Sequence, residues 1–440
     1  MELMNKDALR LRIDLASSSI FSFKQDPMLV AAINRLYSRE EVAGSQLILP
    51  ERKLLFTEVQ QLLKQSPEVP VPGKPDDLLS KHAKQSRNAI IKKIEDILGN
   101  INNSAERDDS PKLIIRNQRL WSNCIYDLDR VTLKALQDAK TTTLYYMNSE
   151  DKSRFNTIVF VLTKVHELLL KNLTVTRREL FYQNVSRFGN QSRLDVGVRD
   201  VCCLLDIPPW DLGIVATAKG LIAGPLKIYQ RDGTIVDCMM SGGTLIPQDI
   251  KGIKEFKSTA KYILVVEKDA IFQKLLDEGA LIRLGPVIIL TGKGYPDVCT
   301  RQLLCRLVNE LRLKALALVD ADPHGYEIFL TYKYGSLAQS HLSDSLACSS
   351  LLLLGARHYD VMILAPKAAQ LPLTQLDKRK LAALIKRPYL NTPIGVRVKS
   401  DLEVMLTSGV KAEIEAVAST AAALCDSYLP SKLIQGDHLG

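Results

Sequence analysis

The chain has 440 residues, 46% hydrophobic and 24% charged, so two or three folded domains are expected and a wholly disordered chain is excluded. The formal net charge of +9 favours a polyanionic partner, but only mildly. The eight cysteines, Cys124, Cys202, Cys203, Cys238, Cys299, Cys305, Cys348 and Cys425, include no CxxC pair and no zinc spacing. They read as reduced core thiols of a cytosolic or nuclear protein. The first residues carry charges where a signal peptide needs an apolar run, and no run reaches membrane-spanning length, so neither secretion nor a membrane is expected.

Residues 1–150 read as a helical extension with flexible linkers. Ser45–Gln65 has helical periodicity, Ser66–Leu79 is a proline-rich linker, and Arg87–Ile101 is a second amphipathic helix. Asn102–Lys112 reads as a loop. This extension has no cluster of chemical residues and is expected to dock partners.

Residues 151–245 read as one module. Thr157–Asn172 predicts an apolar helix. Thr176 with Glu179 three residues on makes a capping box. Arg193–Ile207 predicts a third helix, stopped by Pro208 and Pro209. The Asp232-Gly233 turn between β-rich runs then signals a hairpin. Three helices followed by a hairpin is the order of a winged helix-turn-helix, a DNA-binding module. From about residue 255 strands alternate with helices, which predicts a parallel sheet covered on both faces. Residues after about 365, including Val410–Cys425, read as helical.

Functional side chains of a parallel α/β sheet gather at the carboxyl ends of its strands. Here the strand ends carry Glu267, then Lys293 in "TGKGYPD", then Asp320 and Asp322 in "LVDADPHG". Two aspartates one residue apart repel each other unless a cation lies between them. Oxygen donors without Cys or His suit Mg²⁺. The alternative is that either aspartate merely caps a helix or closes a turn. In "RRELFYQNV", Tyr182 reads either as a half-buried helix residue or as a nucleophile, with Arg177 and Arg178 one turn earlier to bind phosphate or stabilise a phenolate.

The stretches "RRELFYQNVSRFGNQSRLD", "ATAKGLIAG", "VVEKDAIF", "TGKGYPD", "LVDADPHGYEI" and "VKAEIEA" occur in this order. Together they resemble the meiotic double-strand-break transesterases, which are homologous to the A subunit of type VI topoisomerase. The resemblance covers about residue 156 to the C-terminus. It implies a winged-helix domain followed by a Toprim domain. It places the catalytic tyrosine on Tyr182, its arginine on Arg178, and the Mg²⁺ ligands on Glu267, Asp320 and Asp322. Arg177, Lys219, Lys293 and Tyr295 of these stretches are the expected DNA contacts. Relatives often have two tyrosines where this chain has Phe181 and Tyr182.

The implied function is cleavage of double-stranded DNA through a 5′-phosphotyrosine link that initiates meiotic recombination in the nucleus. Cutting both strands takes two tyrosines, hence a homodimer or a 2:2 assembly. No GxxxxGK[ST] occurs in the chain, so any ATP use would fall to a B-subunit-like ATPase partner. Meiotic accessory proteins are further expected partners. The rival readings are a type VI topoisomerase A subunit that reseals its breaks, a Toprim nuclease or primase-like enzyme that needs no tyrosine, and a DNA-binding subunit without chemistry.

Overall fold

The computed structural model describes residues 87–107, 109–118, 120–127 and 130–439. They divide into two compact units, 87–218 with 335–346, and 219–334 with 347–439. The helix expected over Ser45–Gln65 and the linker after it lie outside the described residues.

The first unit opens with α1 (Arg87–Glu106). The polar stretch expected to be a loop instead continues that helix for its first five residues. Two antiparallel ribbons follow, in a region whose sequence reads as a helical extension with flexible linkers. One pairs β1 (Lys112–Arg116) with β4 (Thr141–Tyr145), and the other pairs β2 (Cys124–Asp127) with β3 (Arg130–Leu133). Their strands are short and only alternate residues are buried, as a ribbon with one solvated face requires. Helix α2 (Ser149–Lys171) starts where Asn148 accepts the Glu150 N–H and ends at Asn172 in the left-handed conformation (φ 53°). It buries Phe155, Ile158, Val161, Leu162, Val165 and Leu169 along one stripe. The strand pair β5 (Val175–Thr176) and β6 (Ile214–Val215), the short α3 (Arg177–Tyr182) and α4 (Gln191–Leu205) complete the core with Leu180, Leu194, Val198 and Val201.

The second unit is built on a six-stranded sheet, in the spatial order Thr244–Leu245, Leu221–Ala223, Val287–Thr291, Tyr262–Val266, Lys314–Leu318 and Leu351–Gly355. Strands β12 (Tyr262–Val266), β13 (Val287–Thr291), β14 (Lys314–Leu318) and β15 (Leu351–Gly355) run parallel. Strand β7 (Leu221–Ala223) lies antiparallel to β13, and β10 (Thr244–Leu245) antiparallel to β7. Every position of β12 and β13 is buried, the mark of strands covered on both faces. The helices between strands include α5 (Asp269–Asp277), α6 (Val298–Leu311) and α7 (Pro323–Tyr334). The chain leaves β12 toward β13 on one side and returns to β14 on the other. The strand order therefore reverses between β12 and β14, and a crevice opens at their carboxyl ends.

Two readings need correction. The Asp232-Gly233 hairpin forms, with β8 (Leu226–Gln230) against β9 (Ile235–Asp237), and Asp232 accepts the Thr234 N–H to tighten the turn. It joins β11 (Ile253–Ser258) in a three-stranded sheet of the second unit, so it does not share a unit with the three helices before it. The stretch from Val410 is not a continuous helix. Val410–Lys411 pairs antiparallel with Leu371–Pro372, Ala412 bridges Ala321, and one 3₁₀ turn covers Ile414–Val417. Backbone pairing outcompetes helical propensity there. All eight cysteines are buried. Among the described residues no helix is long and apolar enough to cross a membrane.

Candidate functional site

Tyr182 ends a helix of only six residues, which needs its cap to persist. Thr176 Oγ1 accepts the Glu179 N–H at 3.1 Å, and Glu179 Oε2 accepts the Thr176 N–H at 3.4 Å. Leu180 plugs into the core at 2% exposed, Phe181 packs against the core's edge, and Tyr182 is left 71% exposed. Arg178, also exposed, lies four residues before Tyr182 and shares its helix face. Arg177 is half-buried and lies 3.7 Å from Asp195. The two arginines therefore differ, and the one on the tyrosine's face makes no ion pair among the described residues.

In the second unit the register pairs Val266 with both Thr291 and Leu318. The residues that follow these three strands thus lie side by side, with Glu267 between the other two. Glu267 is held by its own backbone: its N–H donates to the Leu318 carbonyl at 3.0 Å and its carbonyl accepts the Gly294 N–H at 2.9 Å. Its Oε2 accepts the Asp320 N–H at 2.8 Å. Asp320 Oδ1 accepts the Ile414 N–H at 2.9 Å, while Oδ2 lies 3.1 Å from Lys268 Nζ. Asp322 Oδ1 accepts the Gly325 N–H at 2.7 Å and so caps α7.

The two aspartates are thus partnered separately. Lys268 is the cation beside Asp320, and Asp322 fills the capping role weighed as the alternative. Among the described residues no three His, Cys, Asp or Glu side chains close on one ion as they stand. The charge balance nevertheless favours a further cation. Burial, then the Asp320 and Asp322 carboxylates, push Glu267 up to about 8. Burial pushes Asp320 up to about 6 against the Ile414 N–H and Lys268. Hard oxygen donors whose ionised forms destabilise one another fit a divalent cation such as Mg²⁺, which would hold them ionised.

A titration test follows. The folded chain binds the Glu267 proton more tightly than the unfolded one. That contribution favours folding below about pH 4.5 and is lost as pH rises through about 8. The buried histidines work in the opposite sense, but they stop contributing above their ordinary value near 6.5. In EDTA the urea midpoint should therefore fall between roughly pH 6.5 and 8, and Glu267→Gln should flatten that fall. An unchanged slope in the variant would place the proton elsewhere.

Gly325 explains the glycine after "DPH". A Cβ there would lie 2.3 Å from the Asp320 carbonyl oxygen and 3.0 Å from Glu267 Oε2. Backbone and a held carboxylate cannot give way cheaply. Gly325→Ala should cost roughly 3 kcal/mol by overpacking, read as a lowered urea midpoint. A wild-type midpoint would show that the rim yields.

The other expected DNA contacts gather on this rim. Lys219 donates from its backbone N–H to Asp297 at 2.9 Å and from Nζ to the Lys293 carbonyl at 3.1 Å. Lys293 has a left-handed backbone (φ 53°) and its ammonium lies 3.0 Å from Asp269. The Tyr295 hydroxyl donates to Glu327 at 2.5 Å. Burial and the Glu327 carboxylate both raise that phenol above its ordinary value. The sequence reading missed Lys268, Glu413 and Glu415. Their signal was the alternation Lys411, Glu413, Glu415 against Ala412 and Ile414, a strand-like period of two in a stretch read as helix. The latter pair is buried at 1% and 0% exposed.

Comparison with known proteins agrees with this layout. The Toprim-domain family of Spo11 and the topoisomerase 6 A subunit matches residues 262–433, and the family described as "Type IIB DNA topoisomerase" matches residues 153–214. The mouse "Meiotic recombination protein SPO11" is 36% identical over 79% of this chain and 88% of its own length. The Drosophila melanogaster "Meiotic recombination protein W68" is 36% identical over 66% of this chain and 85% of its own. The A3 subunit of DNA topoisomerase 6 from rice (Oryza sativa subsp. indica) is 38% identical over 72% of each chain. With identities above 30% spread over most of both chains, this protein belongs to the family that unites Spo11 with the topoisomerase 6 A subunit.

Proposed function

We propose that the protein is a DNA-cleaving transesterase that makes double-strand breaks to initiate meiotic recombination, with Tyr182 as its nucleophile. The observation that carries this reading is Tyr182 itself: a phenol 71% exposed at the end of a capped helix whose other apolar residues hold the core. It lies within the stretch matched to type IIB topoisomerases.

In the proposed reaction the Tyr182 oxygen attacks a backbone phosphorus. The bond from phosphorus to the 3′ oxygen breaks as the phosphotyrosine bond forms at the 5′ end. The phenol's proton ends, in balance, on the departing 3′ hydroxyl. One phosphodiester replaces another and no water is consumed. A phenol is a weak nucleophile at neutral pH, so a base, a cation or a metal must activate it. Arg178, on the same helix face, is the residue proposed for that role. Glu267, Asp320 and Asp322 would hold Mg²⁺, which when bound supplies positive charge to offset that developing on the phosphate.

In this reading the first unit acts as the winged-helix module, and Arg177, Lys219, Lys293 and Tyr295 line the DNA path. Cleavage of both strands asks for two tyrosines, hence a two-fold dimer, or a 2:2 assembly with a B-subunit-like ATPase. The setting is nuclear and chromosomal, alongside meiotic accessory proteins. The mouse meiotic relative, matched over 79% of this chain and 88% of its own length, supports the meiotic reading. The rice relative, at 38% identity, keeps a resealing topoisomerase as the second reading. The deciding experiment recovers DNA under denaturing conditions. A transesterase leaves protein-bound 5′ ends, whereas a Toprim nuclease leaves free ends.

A further inference from the structure

Lys268, directly after Glu267, has no part in the proposed reaction, yet it touches the site's inner carboxylate. Its ammonium lies 3.1 Å from Asp320 Oδ2, 3.1 Å from Glu413 Oε2 and 3.4 Å from Glu415 Oε2. The three partners are unlike. The Asp320 side chain is 9% exposed, Glu415 39% and Glu413 61%. One cation is thus shared between a buried carboxylate on the strand end and an outer, solvated pair.

We propose that Lys268 is a built-in counter-ion that competes with a divalent cation for Asp320, and that Glu413 and Glu415 receive its ammonium when the ion arrives. The inference rests on the reading that Glu267, Asp320 and Asp322 bind that ion. Asp320 Oδ1 is already committed to the Ile414 N–H, so Oδ2, the oxygen beside Lys268, is the one a new cation would take. An ammonium and a divalent ion cannot both remain on that oxygen without strong repulsion. The receiving site is anchored, not loose. Ala412 bridges Ala321 of the D-x-D itself and Ile414 is fully buried, so one short segment fixes both the inner oxygen and the outer glutamates. Lys268 is therefore a positioning residue. It balances the carboxylates while no ion is bound and sets the ion concentration at which the rim fills.

The test uses the full chain carrying Tyr182→Phe, so that no cleavage intervenes. Melting temperature is followed across a Mg²⁺ titration with a DNA duplex present. Lys268→Met should melt lower in EDTA and should reduce the half-saturating Mg²⁺ roughly five- to tenfold, as removal of a competing charge at this range would. Lys268→Arg should restore the parental midpoint. Glu413→Gln with Glu415→Gln should raise it, because the ammonium then has only Asp320. A Lys268→Met midpoint equal to or above the parent's, in a parent that responds to Mg²⁺, overturns the lysine's role and leaves the ion site standing. No Mg²⁺ response in the parent or any variant overturns both. If Lys268→Met does not fold, the double glutamate variant decides alone: its altered residues are exposed, and an unraised midpoint refutes the proposal.

Discussion

Tyr182→Phe should abolish covalent protein–DNA complexes, by at least about a thousandfold as expected for loss of a nucleophile, while leaving DNA retention within about twofold. The substitution removes one oxygen from a side chain 71% exposed, so no buried partner is left unsatisfied. Leu180 and Phe181 keep their packing and the Thr176–Glu179 cap is untouched. Stability should therefore stay within about 0.5 kcal/mol of wild type. Phe181 offers no substitute nucleophile, so the loss should be total and not graded. Filter retention, urea melts and denaturing recovery on one preparation check all three. A variant that still carries DNA after denaturation refutes the assignment.

The carboxylates should separate chemistry from folding in a different way. Glu267→Gln and Asp320→Asn should each lower Mg²⁺-dependent cleavage by roughly a hundredfold or more, the scale of losing one preorganised electrostatic group. Their stabilities in EDTA should diverge. Glutamine can still accept the Asp320 N–H while ending the burial penalty and the repulsion that push Glu267 up to about 8. Glu267→Gln should thus gain about 1 kcal/mol or more near pH 8. Asparagine at 320 keeps an acceptor for Ile414 but gives up the ion pair with Lys268, so Asp320→Asn should be close to neutral. Asp322→Ala, by contrast, should cost about 1 kcal/mol already in EDTA, because its oxygen caps α7, and more with Mg²⁺, because a proposed ligand is lost as well. Thermal melts with EDTA and with Mg²⁺, beside cleavage assays, distinguish the three. Full cleavage by Glu267→Gln would remove that residue from the site.

What the sequence made legible was what local chemistry dictates. The Thr176–Glu179 box and the parallel strands around Glu267 and Asp320 announce themselves through capping spacing and unbroken apolar runs. The elements that escaped depend on distant partners. Lys112–Arg116 becomes a strand only because Thr141–Tyr145 lies beside it, and neither segment is apolar enough to declare itself. The hairpin at Asp232-Gly233 was visible, but a turn carries no information about which sheet it joins. At Val410–Val417 helix-favouring alanines and glutamates hid an alternation that main-chain pairing with Ala321 and Leu371 decides. That last miss concealed Lys268's partners, because Glu413 and Glu415 reach the rim only through that pairing.

The central claim is a covalent bond at one named atom, and peptide mapping tests it most directly. Trypsin cuts after Arg178 and Arg187, which frees the peptide "ELFYQNVSR" containing Tyr182. After nuclease trimming of DNA-linked protein from a cleavage reaction, mass spectrometry should find this peptide carrying a nucleotide through its 5′ phosphate on Tyr182. A nucleotide on any other residue, a 3′ linkage, or cleaved DNA whose 5′ ends carry no peptide would contradict the account.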